Sequence, residues 1–234
     1  MRKKLAGPVT PRGASTRDSL LEAASVLMSQ RPDVDITLVE IAQAAGANSS
    51  LVGYYFGNKD GLLLALMERN MRGGLAELQK IISSNLPAAD KIALHISGLI
   101  NLYYRLPYHN RLMTYLTEQS KAQSASELGT EVMRPLLALY SRLLEEGERS
   151  GELRRIDPMF FYFSLMGACD RFFTGRYSMQ ELFGITEIDK PLKQRFIEHT
   201  VATFIPGLLA EPRPVTLRPS LWAAGREMTS QAAS

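Results

Sequence analysis

The stretch whose reading decides the fold is TLVEIAQAAGANSSLVGYYFGNKDGL, residues 37–62. Thr37 and Glu40 have capping-box spacing, in which the threonine side chain takes a backbone N–H three residues on and the glutamate reaches back. A helix therefore starts at Thr37, with Leu38, Ile41, Ala42 and Ala45 on one face. Gly46 ends it, because the chain there needs a positive φ that other residues resist. Asn48 caps a short second helix over about residues 49–56. Leu51, Val52, Tyr55 and Phe56 fall on its inner face, and Ser49, Ser50, Gly53 and Tyr54 on its outer face. Gly57 closes it, and Asn58 caps a longer helix over about 59–80 carrying Leu62, Leu63, Leu66 and Met67.

Two short helices joined through Gly46-Ala47-Asn48 form a compact helix-turn-helix, and the small Ala42 and Ala45 let them approach closely. The outer face of the second helix is unusual. A core helix would not use Ser49, Ser50 and Gly53, which bury little. A plain surface helix would carry charged helix-formers there. A narrow face of small and polar groups suits a DNA major groove. Lys59, in the first turn of its helix, opposes the macrodipole, which fits either a phosphate seated above it or a tolerated surface charge. Tyr54, Tyr55 and Thr37 are placed to offer hydroxyls to phosphates. Tyr55, on the inner face, reads equally as core.

Working toward the N-terminus, Leu20, Leu21, Ala24, Leu27 and Met28 recur at helical spacing after a cap at Ser15 or Thr16, and Arg31-Pro32-Asp33 ends that helix. Residues 1–14 read as a basic arm: Arg2, Lys3, Lys4, Arg12 and Arg17 all precede the first acidic residue, Asp18. Such an arm either contacts phosphates or merely keeps the terminus solvated. Toward the C-terminus the helical pattern continues at about 88–106, 108–121, 126–149, 158–176 and 189–205, and no run alternates as a strand would. Residues 211–234, with Pro212, Pro214 and Pro219, read as a loosely ordered tail. The fold class is all-α: an arm at 1–14, a three-helix head at 15–60 and a helical body at 61–210.

At this point the resemblance is plain. The Thr37–Leu62 run, with the helix before it, resembles the DNA-binding segment of the TetR family of transcriptional regulators over about residues 16–66. The matching features are the threonine, Ile41-Ala42-x-x-Ala45-Gly46, the aromatic pair before Gly57-Asn58-Lys59, and Leu62. The family often has a further tyrosine where this chain has Gly53. The resemblance implies a DNA-binding head, a body holding a ligand pocket and a dimer interface, and a repressor that an inducer releases from a palindromic operator. The DNA-contacting residues are then Arg17, Thr37, Asn48, Ser49, Ser50, Gly53, Tyr54, Tyr55 and Lys59. A DNA-binding activator or architectural protein without an inducer shares every feature of the head.

The body has no enzyme constellation. His95, His109 and His199 are scattered, Cys169 lacks a Cys or His at metal-ligand spacing, and no nucleophile elbow, P-loop or dinucleotide fingerprint occurs. The expectation is a non-enzyme with no metal and no cofactor. A single cysteine forms no intramolecular disulfide, and no apolar run reaches the ~18 residues of a membrane span, so a cytoplasmic protein is expected. The run Met159–Ala168 is apolar all round and needs cover on every side, part of it from a second copy. Phe160, Phe163, Gly167, Phe196, Val201 and Phe204 are the expected homodimer contacts, the two helices matching in position those that pair in the family. Candidates for a pocket around a largely apolar small molecule are Tyr103, Tyr104, Tyr108, Met113, Tyr115, Phe161, Met166 and Arg171, each of which reads also as plain core. Asp170 and Arg171 lie within an apolar helix, where they pair, meet a polar ligand group, or cross a dimer axis.

Overall fold

The structure is a computed structural model that describes residues 15–211, apart from Pro32, Asp33 and Lys121. The arm at 1–14 and the tail from 212 lie outside the described residues. Among the described residues the chain is helical throughout, with one isolated bridge between Leu153 and Leu209.

Helix α1 (Thr16–Gln30) starts where the Ser15 hydroxyl takes the Asp18 N–H. Helix α2 (Leu38–Ala44) opens with both halves of the Thr37–Glu40 capping box in place. Gly46, at φ +65°, turns the chain. Helix α3 (Ser49–Phe56) begins at Asn48, whose Oδ1 accepts from Ser50 N at 3.0 Å. Helix α4 (Lys59–Ile82) is capped by Asn58 through Gly61 N at 2.9 Å. Gly61 is needed for close approach: a Cβ there would lie 2.1 Å from the Phe56 carbonyl oxygen, so α3 and α4 join at a corner that admits no side chain. Leu20, Leu21, Met28, Ile36, Ile41, Val52, Leu62 and Leu66 are all buried and bind the first four helices together.

The body follows: α5 (Ala88–Arg105), α6 (His109–Thr114), α7 (Ala122–Leu128), α8 (Arg134–Arg149), α9 (Pro158–Thr174), α10 (Arg176–Phe183) and α11 (Lys190–Leu208). Several bounds differ from the sequence expectation. The helix expected over 108–121 passes into a π-helical turn at Tyr115–Gln119, and that expected over 126–149 starts four residues earlier and passes through a second such turn at Gly129–Met133. Wide turns of this kind leave apolar spacing nearly intact, so periodicity does not reveal them. The helix expected over 158–176 stops at Thr174, where a Cβ on Gly175 would lie 2.6 Å from the Arg171 carbonyl. Helix α10 was not expected: it leaves Tyr177, Leu182 and Phe183 exposed, so its apolar residues mark no buried stripe. Helix α11 runs through Pro206 to Leu208, because a proline in the last turn breaks little of the ladder behind it.

Side chains far apart in sequence lock the body. The Glu152 carboxylate accepts from Ala88 N at 2.6 Å and Ala89 N at 3.0 Å, capping α5 where Pro87 offers no side-chain cap. Lys91, 2% exposed, meets Glu146 at 2.5 Å and ties α5 to α8. The His95 ring bonds the Tyr140 hydroxyl at 2.6 Å across the same pair. One contiguous buried cluster runs from α1 to α11, and α4 belongs to both the head and the body.

Candidate nucleic-acid interface and body cleft

The outer face of α3 stands free. Ser49, Ser50 and Gly53 are exposed and Tyr54 is 80% exposed. An added Cβ at Gly53 would meet no atom within 4 Å. Val52, on the opposite face, is fully buried. Tyr55, expected on the inner face, is instead 38% exposed, with its ring edge-on to Tyr54 at 5.1 Å. The reason is angular. Val52 and Phe56 define the buried direction, and at 100° per residue Tyr55 lies about 80° from their mean.

Other candidate contacts surround this face. Arg17 is exposed, its guanidinium 5.2 Å from the Phe56 ring centroid. The Thr37 hydroxyl takes Glu40 N at 3.2 Å and donates to Glu40 Oε2 at 2.8 Å. Asn48 Oδ1 also accepts from the Ser50 hydroxyl. Both caps thus use their side-chain oxygens to fix the helices. Arg31 grips Glu40 at 2.6 Å and ties the end of α1 to α2. This hydrogen bond, with that from Thr37 N, holds the Glu40 carboxyl down at about 2. Lys59 Nζ lies 5.8 Å from the centroid of the Tyr115 ring.

Tyr108, Tyr115 and Arg111 of the body bond to the head. The Tyr108 hydroxyl lies 2.8 Å from the Ser25 hydroxyl of α1 and accepts from Asn70 Nδ2 of α4 at 3.1 Å. The Tyr115 hydroxyl donates to the buried Asp60 carboxylate at 2.7 Å, and burial with this bond pushes its pKa up to about 12. Arg111 donates to the carbonyls of Met28 and Arg31 at 2.9 and 2.8 Å, closing the end of α1.

A cleft of about 560 Å³ opens in the body between the C-terminal ends of α5 and α9, α10 and the segment after it. Tyr103, Tyr104, Pro107, Phe173, Met179, Ile185, Thr186, Glu187 and Ile188 line it. Of the candidate pocket residues, Tyr103 and Tyr104 are in this wall. Tyr115 lines a second cleft of about 500 Å³ between head and body. Tyr108 is fully buried at the junction, and Phe161 is buried with its ring edge-on to Tyr140. Met113 and Met166 are half-buried against the core, and Arg171 is exposed and donates to the Ser178 hydroxyl at 2.9 Å. Met179 and the Ile185–Ile188 segment escaped the sequence reading because they lie on and after α10, which carried no pattern, and Phe173, on α9, because only the packing of α10 makes its end a wall.

Helix α9 buries Phe161, Leu165 and Cys169 against its own subunit. Its other side is bare: Phe160 is 65% and Phe163 64% exposed, and Gly167 is exposed. On α11, Phe196, Val201 and Phe204 are half-buried, and Phe196 stacks on Phe172 with centroids 3.6 Å apart. Among the described residues, no three His, Cys, Asp or Glu side chains cluster as a metal site, and no helix is long and apolar enough to cross a membrane.

A capped three-helix head with a free second HTH helix, set on a helical body with an open cleft, defines the helix-turn-helix class of regulatory protein. The chain belongs to the TetR family: residues 20–66 match the family model for bacterial regulatory proteins of the tetR family, and residues 85–213 match that for the tetracyclin repressor-like C-terminal domain. Curated relatives include the HTH-type transcriptional regulator BetI of Brucella anthropi, 30% identical over 128 residues, and that of Rhizobium meliloti, 29% identical over 144 residues. These matches cover 55% and 61% of this chain, and 62% and 66% of the relatives, so they span under two thirds of either relative. Among solved structures, a TetR/AcrR regulator from Thermobifida fusca aligns with TM-score 0.62 at 19% identity over 82% of this chain and 97% of that one. The regulator FadR from Bacillus subtilis, solved in complex with stearoyl-CoA, aligns with TM-score 0.59 at 20% identity over 79% of this chain and 97% of that one. At such identities the likeness shows the fold.

Proposed function

We propose that this protein is a sequence-specific DNA-binding transcription regulator that acts in the cytoplasm as a homodimer. In this reading it is a repressor that a small, largely apolar molecule releases from a palindromic operator. The observation that carries the reading is the outer face of α3. Ser49, Ser50, Gly53 and Tyr54 stand exposed on a helix fixed at its start by Asn48 and at its end by Gly57. Two such helices related by a two-fold axis enter successive major grooves. Arg17, Thr37, Tyr55 and Lys59 flank the reading face and are assigned to phosphates, while Asn48 sets the start of the reading helix. The bare face of α9, extended by α11, is assigned to the second copy, since a two-fold interface uses the same patch twice.

The sensing part of the proposal rests on the cleft. A filled body would have argued for a protein without an inducer, but about 560 Å³ is within the range of small-molecule sites. The cleft wall includes Pro107, and the next residue, Tyr108, is bonded to α1 and α4 of the head. A ligand acts by favouring one head spacing over another, and only by its difference in affinity for the two. The test is selection of bound fragments from genomic DNA by the full chain, followed by anisotropy titration of the enriched sequence. An enriched inverted repeat supports the reading, and a pool with no enriched sequence overturns it.

A further inference from the structure

A carboxylate that forms no ion pair among the described residues lies behind the wall of the cleft. Asp170, half-buried on α9, accepts a hydrogen bond from the Tyr103 hydroxyl, and Tyr103 is part of the cleft lining. Its charge acts on Tyr103, Tyr162, Cys169 and His109. None of them is a cation at neutral pH: burial holds His109 down at about 4 and pushes the Cys169 thiol up to about 12. Arg171, the next residue, engages Ser178 instead. Among the described residues, no lysine or arginine forms an ion pair with Asp170. A carboxylate set behind an aromatic wall makes that wall a favourable place for a cation.

The lining has the matching character. Tyr103, Tyr104 and Phe173 bring aromatic rings to it, Glu187 brings a carboxylate, and among the described residues no basic side chain lines it. The Tyr104 ring already receives one cation, since Lys193 Nζ lies 5.1 Å from its centroid, held by Asn101 at 2.6 Å. The buried His109 Nδ1 has no hydrogen-bond partner, and its ring packs edge-on against Tyr103 at 5.1 Å. Aromatic faces backed by carboxylates attract ammonium groups and repel anions.

We propose that this cleft takes a small organic cation, an ammonium group on an apolar body. Its charge is met by Glu187 and the Tyr103–Asp170 pair, and its body lies on Phe173, Met179, Ile185 and Ile188. The proposal rests on the reading of the body as a sensor and names the chemistry of that sensor. An anionic head group meets Glu187 in the lining, while the Lys193 ammonium on the Tyr104 ring is already held by Asn101.

The test uses three probes with one apolar body and different heads: phenylbutylamine, phenylbutanol and phenylbutyrate. Each is titrated calorimetrically into the full chain at neutral pH. The expected result is that the amine binds roughly tenfold or more tightly than the carboxylate, with the alcohol between. Glu187→Gln and Asp170→Asn should each shrink that preference, with folding checked by circular dichroism melting. Phe173→Ala should weaken the amine and the alcohol alike. Equal or tighter binding of the carboxylate overturns the proposal. So does an amine preference that survives both carboxylate substitutions, or no binding of any probe up to its solubility limit. These titrations use no DNA, so their failure is distinct from failure to enrich an operator.

Discussion

The Tyr108 hydroxyl sits 2.8 Å from the Ser25 hydroxyl, across 83 residues of sequence, and also takes a hydrogen bond from Asn70. This one buried phenol joins α6 at its start to α1 and α4. Replacing it with phenylalanine keeps the ring and strands two polar partners. Tyr108→Phe should therefore lower stability by about 1–3 kcal/mol, read as a reduced urea midpoint. An unchanged midpoint would mean that water replaces the hydroxyl at no cost.

Two glycines near the reading helix should respond in opposite ways. Gly61→Ala places a Cβ against the Phe56 carbonyl oxygen and must push α3 from α4. We expect a loss of several kcal/mol, or a head that does not fold, by thermal melting. Gly53→Ala meets nothing and adds helix propensity, so it should stabilise by up to about 1 kcal/mol. If Gly53 lies against DNA, the same change weakens operator binding.

Contacts to DNA separate by salt. Lys59→Ala should weaken binding to all sequences and reduce the salt slope by about one phosphate. Tyr54→Ala should weaken operator binding without lowering the melting temperature, since its ring is 80% exposed. A large loss of stability instead would place Tyr54 in the fold of the head.

Acid should unfold the body through its buried histidines. His95 and His109 are held down at about 4, against an ordinary 6.5, because burial penalises the charged ring. A depressed folded pKa means that the unfolded chain takes up the proton first. The stabilisation is complete above pH 6.5 and is lost as pH falls toward 4, a few kcal/mol in all. Urea midpoints measured between pH 7 and pH 4 should fall across this window, and His95→Gln should fall less steeply. A midpoint flat across the window in the wild-type chain would rule the histidines out as its cause.

The bare face of α9 should hold two copies together. Phe160→Glu with Phe163→Glu puts charge at positions that are 65% and 64% exposed in the single chain, so the fold should survive. The expected outcome is a dimer for the unaltered chain and a monomer for the double variant, by light scattering after gel filtration. A double variant that stays dimeric would move the interface elsewhere, with the exposed Tyr177, Leu182 and Phe183 of α10 the next surface to test.

The head was legible in the sequence because its determinants are local. Thr37 with Glu40, Gly46, Asn48, and Gly57 with Asn58 each act within a few residues, so caps and turns fixed α2, α3 and the start of α4 before any packing was known. The body was legible as helices and no further. Its cap at Ala88 comes from Glu152, its junction with the head from Tyr108 and Ser25, and its cleft from Tyr103 with Phe173 and Ile185, pairings separated by 64 or more residues. Helix α10 gave no signal because its apolar side chains face outward, and Tyr55 reached the surface because its place on α3 lies between the inner and outer sides. Local hydrogen-bond geometry is written in neighbouring residues, whereas a cavity and its charge balance exist where distant segments pack, so only the fold brought the Asp170 carboxylate to the Tyr103 hydroxyl behind the cleft.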